Sequence, residues 1–266
     1  MSEAPRMVNI ERRGRVAIVR FDRGTRANPM SLELCRQLTA AARSFENDSE
    51  TSAIVLTGTA GNFTNGADLK DPALARAREA PLAERRVLMQ TGGRMCRAWE
   101  ELEPVTIAAV EGWCVGGGAA IAVSCDLRAA ATDATFYVPE IERGMNLSWG
   151  AVPRITHLVG PSKAKRIIIL SEKIPAPRAA DWGLVDELAE PGRALDAALA
   201  MAERVASMPP VQVRMIKQAI NASANALDRA VSHADFDQYM VAAASGDFAE
   251  GVRAFVAGRP PNYTGR

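Results

Sequence analysis

The stretch EGWCVGGGAAIAVSCD, residues 111–126, places three consecutive glycines between an apolar run and a series of small, helix-compatible residues. Because glycine lacks a side chain, such a run lets another group come close to the backbone. The flanking patterns predict a buried strand before the glycines and a helix after them. Unpaired N–H groups at that helix start could form an oxyanion hole or a phosphate cradle, or the glycines could serve close packing of helix against strand.

Strand and helix patterns alternate along the first part of the chain. VNIERRG and RVAIVRFDR predict a hairpin around Gly14, and SLELCRQLTAAARSFEND predicts a helix. SAIVLTG and VTIAAVEG predict buried parallel strands, with a helix over about residues 81–102 between them. Short strands are predicted at DLRAAATD and ATFYVPE. This part is therefore predicted to be α/β.

From Trp149 onward the pattern is nearly all helical. The predicted helices cover residues 150–171, begin near Glu190, Pro209 and Leu227, and end near Ala257, with a turn at KIPAPRAADWG. We therefore divide the chain into a core of residues 1–200 that carries the site and a helical C-terminal region of residues 201–266.

Composition and charge exclude several classes of function. The net charge is +1 over 266 residues, which gives no electrostatic footprint for nucleic acid. No apolar run approaches the roughly twenty residues that cross a membrane, and the N-terminus is too polar for a secretory signal, so a cytoplasmic location is predicted. The four cysteines are scattered in apolar surroundings and are predicted to be free buried thiols. The two histidines and the cysteines do not cluster, so no metal site is predicted.

Two further stretches could carry chemistry. Gly66, Ala67 and Asp68 end a polar loop after the SAIVLTG strand, and this loop should lie beside the glycine run at the carboxyl edge of a parallel sheet. Two loop N–H groups could then converge on one oxygen, although an ordinary turn with Asp68 capping a helix fits the same residues. Glu140 follows Pro139 in FYVPEIERG and could be a cleft carboxyl with a raised pKa or a solvated loop glutamate.

Two other classes of enzyme fit less well. His157 and His233 lie in helical patterns, away from the glycines, so nucleophile schemes that depend on histidine lack a base. A nicotinamide-dependent oxidoreductase would place GxGxxG at the first strand, whereas these glycines are contiguous and lie in mid-chain.

The stretches NFTNGADLK, AAVEGWCVGGG, CDLRAA, FYVPEIERG and GDFAEGVRAFVAGRPPNY, in this order, resemble the enoyl-CoA hydratase/isomerase family, also called the crotonase superfamily. The resemblance runs over nearly the whole chain. It implies an α/β fold built as a spiral of ββα repeats, with a helical C-terminal region that drives assembly into a homotrimer or a hexamer formed by two trimers. It also implies an acyl-CoA substrate, with coenzyme A as part of the thioester and no permanently bound cofactor.

The resemblance also assigns roles to residues. The N–H groups of Ala67 and Gly117 would form an oxyanion hole for the thioester carbonyl, and Gly118 would line the substrate pocket. The adenine of coenzyme A would lie near the loop of Ala67, Asp68 and Leu69. Its phosphates would lie near basic residues, for which Arg26 and Arg23 are the candidates.

The chain departs from the family pattern at two positions. The family's hydratases use two glutamates, and the matching residues here are Ala120 and Glu140; Glu111 and Glu142 are weak candidates to replace the missing carboxylate. A single carboxylate favours an isomerase-type double-bond shift over hydration, while loss of one also fits a non-catalytic acyl-CoA binding protein. Where the family usually has a small, glycine-rich loop, this chain has Asn146, Ser148 and Trp149, and Trp149 would shorten the acyl pocket, stack on an aromatic acyl group or anchor the next helix.

Overall fold

The computed structural model describes residues 5–266. Its main sheet contains β1 (Val8–Arg13), β2 (Val16–Phe21), β3 (Ala53–Thr57), β4 (Val105–Val110), β6 (Leu127–Ala131) and β9 (Glu187–Ala189). The strands lie in the order β1-β2-β3-β4-β6-β9, with β1 and β2 antiparallel and every later pair parallel. The predicted hairpin around Gly14 and the predicted parallel pairing of the SAIVLTG and VTIAAVEG strands are therefore confirmed.

A second, smaller sheet brings the glycine run beside the segment that carries Glu140. It consists of β5 (Trp113–Val115), β7 (Thr135–Tyr137) and β8 (Ile174–Pro175). Because β5 and β7 are parallel and Val115 pairs with Tyr137, the residues that follow both strands leave the sheet at the same edge. Gly116 N donates to Tyr137 O over 2.8 Å at this point.

Twelve helices are found in the described part of the chain. They are α1 (Leu32–Arg43), α2 (Pro72–Glu79), α3 (Leu82–Met89), α4 (Thr91–Glu100), α5 (Gly117–Ala122), α6 (Ala151–Ile168), α7 (Ala176–Asp181), α8 (Ala194–Ala206), α9 (Pro210–Ala224), α10 (Asp228–Ser232), α11 (Asp235–Ala243) and α12 (Gly246–Ala257). None of those helices has both the length and the apolar character that crossing a membrane requires.

Three sequence predictions differ from the observed elements. The single helix predicted over residues 81–102 is two helices, α3 and α4, and α2 precedes them. The stretch KIPAPRAADWG, predicted as a turn, contains β8 and α7. The strand β9 was not predicted, because strands of two or three residues are too short to show alternation.

The core lies on both faces of the main sheet. Helices α1 and α4 pack together against one face, and α8 packs against β3, β4 and β6 on the other. All four cysteines are buried and free, as predicted. The boundary predicted at residue 200 falls within α8, so the division into two regions stays a prediction.

Candidate active site

The glycine run connects β5 to α5, and its first residue, Gly116, lies against the carboxyl group of Glu140. Gly116 has φ 53° and ψ −111°, a backbone conformation that favours glycine. A Cβ atom on Gly116 would lie 2.5 Å from Oε1 of Glu140, so no larger residue fits without moving that carboxyl. The sequence predicted that another group comes close to the backbone of the glycine run. At Gly116 that group is the side chain of Glu140.

The loop before α2 runs alongside β5 and brings Ala67 towards the same place. Thr64 pairs with Cys114 in parallel, Thr64 N donates to Trp113 O (2.9 Å), and Val115 N donates to Thr64 O (3.0 Å). Ala67 and Gly117 each follow their member of this pair by three residues. Neither the N–H of Ala67 nor that of Gly117 has an acceptor within residues 5–266, and both residues line one cavity.

Glu140 lies three residues after the end of β7 and directly precedes a 3-10 turn, Ile141–Arg143. The residue is half-buried, and its Oε2 atom is buried without a hydrogen-bond partner. Burial raises the pKa of Glu140 to about 7, and a hydrogen bond from its own main-chain N–H and, to a smaller extent, the charge of Arg143 partly oppose this rise. Near neutral pH the carboxyl can therefore accept or release a proton, which is the property that a general acid/base needs.

Three other carboxylates that line the cavity are engaged with partners, whereas Asp228 has a buried Oδ2 without a hydrogen-bond partner in the described structure and an Oδ1 that lies 3.5 Å from His157 Nε2. Arg154 binds Glu100 through two bonds of 2.7 Å, Gly150 N donates to Asp235 (2.8 Å), and Arg23 binds Asp68 (2.5 Å). The carboxyl of Glu140 differs from these three because one of its oxygens is buried and free beside the glycine turn.

Trp149 lies between two glycines from different helices. A Cβ atom on Gly92 in α4 would lie 2.0 Å from Cε2 of the indole, and one on Gly117 would lie 2.6 Å from Cζ3. Arg154 Nη1 donates to the carbonyl of Trp149 over 2.8 Å and fixes the backbone at a φ of 63°. Gly92 was not predicted as a residue of the site, although two adjacent glycines inside a helical pattern indicate close packing.

The cavity has a volume of about 1220 Å³, and its lining includes several basic side chains. Arginines from α2, α3 and α4 line it together with Asp68 and Leu69; they are Arg78, Arg86, Arg94 and Arg97. Arg94 and Arg97 are exposed, and neither forms an ion pair with any described carboxylate. These arginines were not predicted to line the site, because their presence in one cavity depends on how three short helices pack.

Most of the residues predicted for the site line this cavity, whereas Gly118, Arg23 and Arg26 do not. Ala67, Asp68, Leu69, Gly117, Ala120, Glu140 and Trp149 belong to the lining. Gly118 instead packs against the loop, where its Cβ would meet Cγ2 of Thr64 at 2.3 Å. Arg26 is exposed and lies outside the lining. Its main-chain carbonyl accepts a hydrogen bond from Asn62 Nδ2 (2.9 Å), but this contact does not support the predicted binding of phosphate by its side chain.

The other polar candidates have different roles. Glu111 accepts bonds from the N–H groups of Gly192 and Ala194 at the start of α8, and Glu142 accepts from the hydroxyl of Tyr137. Neither glutamate lines the cavity, so neither replaces the carboxylate absent at Ala120. Across residues 5–266, no three side chains of His, Cys, Asp or Glu meet in an arrangement that could hold a metal ion.

Comparisons with known proteins agree with the motifs and the fold. The sequence profile of the Enoyl-CoA hydratase/isomerase family matches residues 11–266. A short-chain-enoyl-CoA hydratase of Clostridium acetobutylicum is 35% identical over 80% of each chain, and a probable enoyl-CoA hydratase of Rhizobium meliloti is 33% identical over 97% of each. The crystal structure of carnitinyl-CoA hydratase from Mycobacterium avium superposes with a TM-score of 0.86 at 29% identity, over 99% of this chain and 100% of that one. The chain thus has the crotonase fold and belongs to the enoyl-CoA hydratase/isomerase family of acyl-CoA enzymes.

Proposed function

We propose that this enzyme moves a double bond of an enoyl-CoA from the β,γ to the α,β position, with Glu140 as the single acid/base. One observation carries the proposal. The carboxyl of Glu140 lies against Gly116 at the start of α5 with a buried, unpartnered oxygen, while Ala120 in the same cavity offers no second carboxylate. An acid/base with one free carboxyl can transfer a proton between two carbons, but it cannot also hold and activate a water molecule.

The N–H groups of Ala67 and Gly117 supply the charge stabilisation in this proposal. They have no acceptor in the described structure, and the parallel pairing of Thr64 with Cys114 supports their proximity. Both would donate to the thioester oxygen, which gains negative charge as the enolate forms. Preorganised donors of this kind are each worth about 3 kcal/mol of barrier.

Glu140 would carry the proton in two steps. As a carboxylate it takes the proton from the α-carbon, and the electron pair of that C–H bond moves into a dienolate whose negative charge lies on the thioester oxygen. The resulting carboxylic acid returns the proton to the γ-carbon, and the double bond is left between the α- and β-carbons. No oxidant, water or metal enters this balance.

Trp149 supports the preference for isomerisation over hydration. Its indole fills the space between Gly92 and Gly117, so bulky apolar atoms lie beside the glycine turn. This arrangement would leave little room for a water molecule and would limit the length of the acyl chain.

The coenzyme part of the substrate would extend along the loop of Ala67, Asp68 and Leu69. Exposed Arg94 and Arg97, which line the same cavity as this loop, have the charge that phosphate groups require. Arg23, the second candidate from the sequence, is instead paired with Asp68.

We further propose assembly into a homotrimer or a pair of trimers through the helical C-terminal region. Four large apolar side chains of α9, namely Val211, Met215, Ile216 and Ile220, are each 59–66% exposed. Such a surface is typical of a protein interface. Light scattering on the purified protein tests this, and a monomer at micromolar concentration would contradict it.

The alternative function is that of a non-catalytic protein that binds acyl-CoA. The alanine at position 120 favours it, because the cavity would then have kept its N–H donors after losing half of the acid/base pair. Binding of a CoA ester without any turnover would support this alternative.

The test is an assay of β,γ- and α,β-enoyl-CoA esters with the wild-type protein, Glu140→Gln and a matched control. We expect isomerisation of the β,γ ester and a loss of about 1000-fold in kcat for Glu140→Gln. Glu142→Gln is the control, because that side chain lies outside the cavity and glutamine can still accept from Tyr137. Robust hydration that survives Glu140→Gln would overturn the proposal.

A further inference from the structure

The turn that follows Glu140 is packed tightly against the last helix of the chain. Gly144 has φ 67°, and a Cβ atom there would lie 2.7 Å from the carbonyl oxygen of Asp247 in α12. A Cβ atom on Gly251, one helical turn later, would lie 2.5 Å from the carbonyl carbon of Arg143. The backbone of α12 therefore contacts the backbone of the turn at two places, with no side chain between them.

The segment after α12 folds back and reaches the same turn. Glu250 binds the guanidinium of Arg259 (2.6 Å) and the N–H of Asn262 (3.1 Å), so the segment is held along the helix. Asp247 accepts bonds from the N–H groups of Thr264 and Gly265 further on. Between these two anchors, the hydroxyl of Tyr263 donates to the carbonyl oxygen of Glu142 over 2.6 Å.

Helix α12 also holds the cation that acts on Glu140. The guanidinium of Arg143 lies over the ring of Phe255, 4.2 Å from its centroid, and its buried Nε has no hydrogen-bond partner. Arg143 forms no ion pair with a carboxylate in the part of the chain that the structure describes. It does not line the cavity, so it can influence the reaction only through its neighbour Glu140.

The other charged groups around the turn are compensated except Arg78, which lies over the ring of Phe248 in α12 and has a buried Nε without a hydrogen-bond partner among the described residues. Glu142 accepts from Tyr137, and Asp247 accepts from two main-chain N–H groups. Glu250 is paired with both Arg253 and Arg259. Of these two cations without an ion pair in the described structure, Arg143 is the one whose charge lowers the pKa of Glu140.

We propose that α12 and the segment after it position the acid/base, with Tyr263 fixing the turn that carries Glu140 and Phe255 holding the Arg143 guanidinium beside that turn. This inference rests on the proposed role of Glu140. Arg143, Phe255 and Tyr263 are then positioning residues for proton transfer, although none of them touches the substrate.

The test compares three variants, Arg143→Gln, Phe255→Leu and Tyr263→Phe, with the wild-type protein. We expect Arg143→Gln to raise the pH midpoint of the kcat/KM profile by about half a unit, because a cation that favours the carboxylate is lost. Phe255→Leu should shift the midpoint in the same direction by less. Tyr263→Phe should lower kcat roughly five- to tenfold while KM changes less than about twofold, because the acid/base loses its position and substrate binding does not.

Two controls and one direct measurement separate positioning from general stability. Arg143→Lys keeps the charge and should restore most of the wild-type midpoint, and Arg253→Gln removes an exposed cation of α12 that is paired with Glu250 and should have no effect. Isotope-edited infrared spectroscopy of the free protein follows the titration of the Glu140 carboxyl, identified by its absence in Glu140→Gln.

The outcomes are distinguishable. If Arg143→Gln and Tyr263→Phe lower only the melting temperature and leave the infrared midpoint, kcat and the pH profile unchanged, the inference is wrong while the role of Glu140 stands. If Glu140→Gln keeps full activity, the proposed function fails, and the infrared midpoint in Arg143→Gln still tests the positioning of the carboxyl. Phe255→Leu provides the same test should Arg143→Gln fail to fold.

Discussion

The two walls of the cavity carry out different parts of the proposed chemistry with different chemical groups. One wall consists of the loop ending at Ala67 and the glycine turn into α5, and it offers main-chain N–H groups and no carboxylate of its own at Ala120. The second wall consists of the segment from Glu140 to Trp149, and it offers a carboxyl and an indole. Charge stabilisation thus depends on backbone geometry, whereas proton transfer depends on one side chain and its surroundings.

The two walls are also held in place differently. Strand pairing fixes the first wall, through Thr64 with Cys114 and Val115 with Tyr137. Contacts from distant helices fix the second, through Asp235 of α11 at Gly150, through Gly92 of α4 at Trp149 and through α12 at the turn after Glu140. We therefore expect the first wall to be sensitive chiefly at its glycines, and the second to be sensitive to substitutions far from the cavity.

The largest effect is expected where the two walls touch. Gly116→Ala places a Cβ atom 2.5 Å from Oε1 of Glu140 and should lower kcat by about 1000-fold or more, because the acid/base moves and the turn shifts. Gly14→Ala is the matched control, since Gly14 has φ 57° with no atom within 4 Å of its Cβ position. It should lower the free energy of unfolding by about 1 kcal/mol and leave kcat unchanged. Equal loss of activity in both variants would argue against contact between the walls.

The second prediction concerns the stability of the protein against pH. The pKa of Glu140 is raised from 4.5 to about 7 in the folded state, so the folded protein binds this proton more tightly than the unfolded chain. The wild-type protein should lose stability between these two pH values as the carboxyl ionises in its buried site. Glu140→Gln lacks this loss and should be more stable than wild type by at most about 3 kcal/mol above neutral pH, with little difference near pH 4. Urea unfolding at several pH values measures the difference, and a constant difference would contradict the raised pKa.

Adjacent glycines of α4 give a sharper test of how the second wall is packed. Gly92→Ala should lower the free energy of unfolding by about 2 kcal/mol, because its Cβ would overlap the indole of Trp149. Gly93→Ala is the control, with only the Cα of Trp149 at 3.8 Å, and should be neutral or slightly stabilising. Combining Gly92→Ala with Trp149→Ala should remove most of the cost. Thermal and urea unfolding of Gly92→Ala, Gly93→Ala, Trp149→Ala and the Gly92→Ala/Trp149→Ala double variant decide whether Gly92 and Trp149 are coupled.

Trp149→Ala should also change the substrate preference. Removing the indole opens the space between α4 and α5, so longer acyl chains should gain about tenfold in kcat/KM relative to short ones. A series of enoyl-CoA esters of increasing chain length measures this ratio. An unchanged chain-length preference would mean that Trp149 acts only as the anchor of α6.

The smallest effect separates two candidate sites for the coenzyme phosphates. Arg97→Ala should raise KM for the CoA ester roughly threefold to fivefold, since this arginine lines the cavity and is not ion-paired in the described structure. Arg26→Ala should change KM by less than about twofold, because Arg26 lies outside the lining. If Arg26→Ala raised KM more than Arg97→Ala, the phosphates would instead bind at the first loop, near Arg26.

Much of the site could be predicted because its parts are local in sequence. The glycine turn of residues 116–118, the loop ending at Ala67 and the proline before Glu140 each form a short motif that specifies its own backbone conformation. The short strands β8 and β9 and the division of the predicted helix into α3 and α4 could not be predicted, because a few residues show no reliable period.

The sequence by itself determined the alternation of strands and helices, the family, and the absence of a carboxylate at Ala120, since each of these is written in neighbouring residues or in motif order. Tertiary structure alone decided that Gly92 packs against the indole of Trp149, that Arg143 lies over Phe255, and that arginines from three helices line one cavity. The physical reason is that local patterns report which face of an element is apolar, whereas contacts between distant segments and the pKa of a buried carboxyl depend on everything that packs around them.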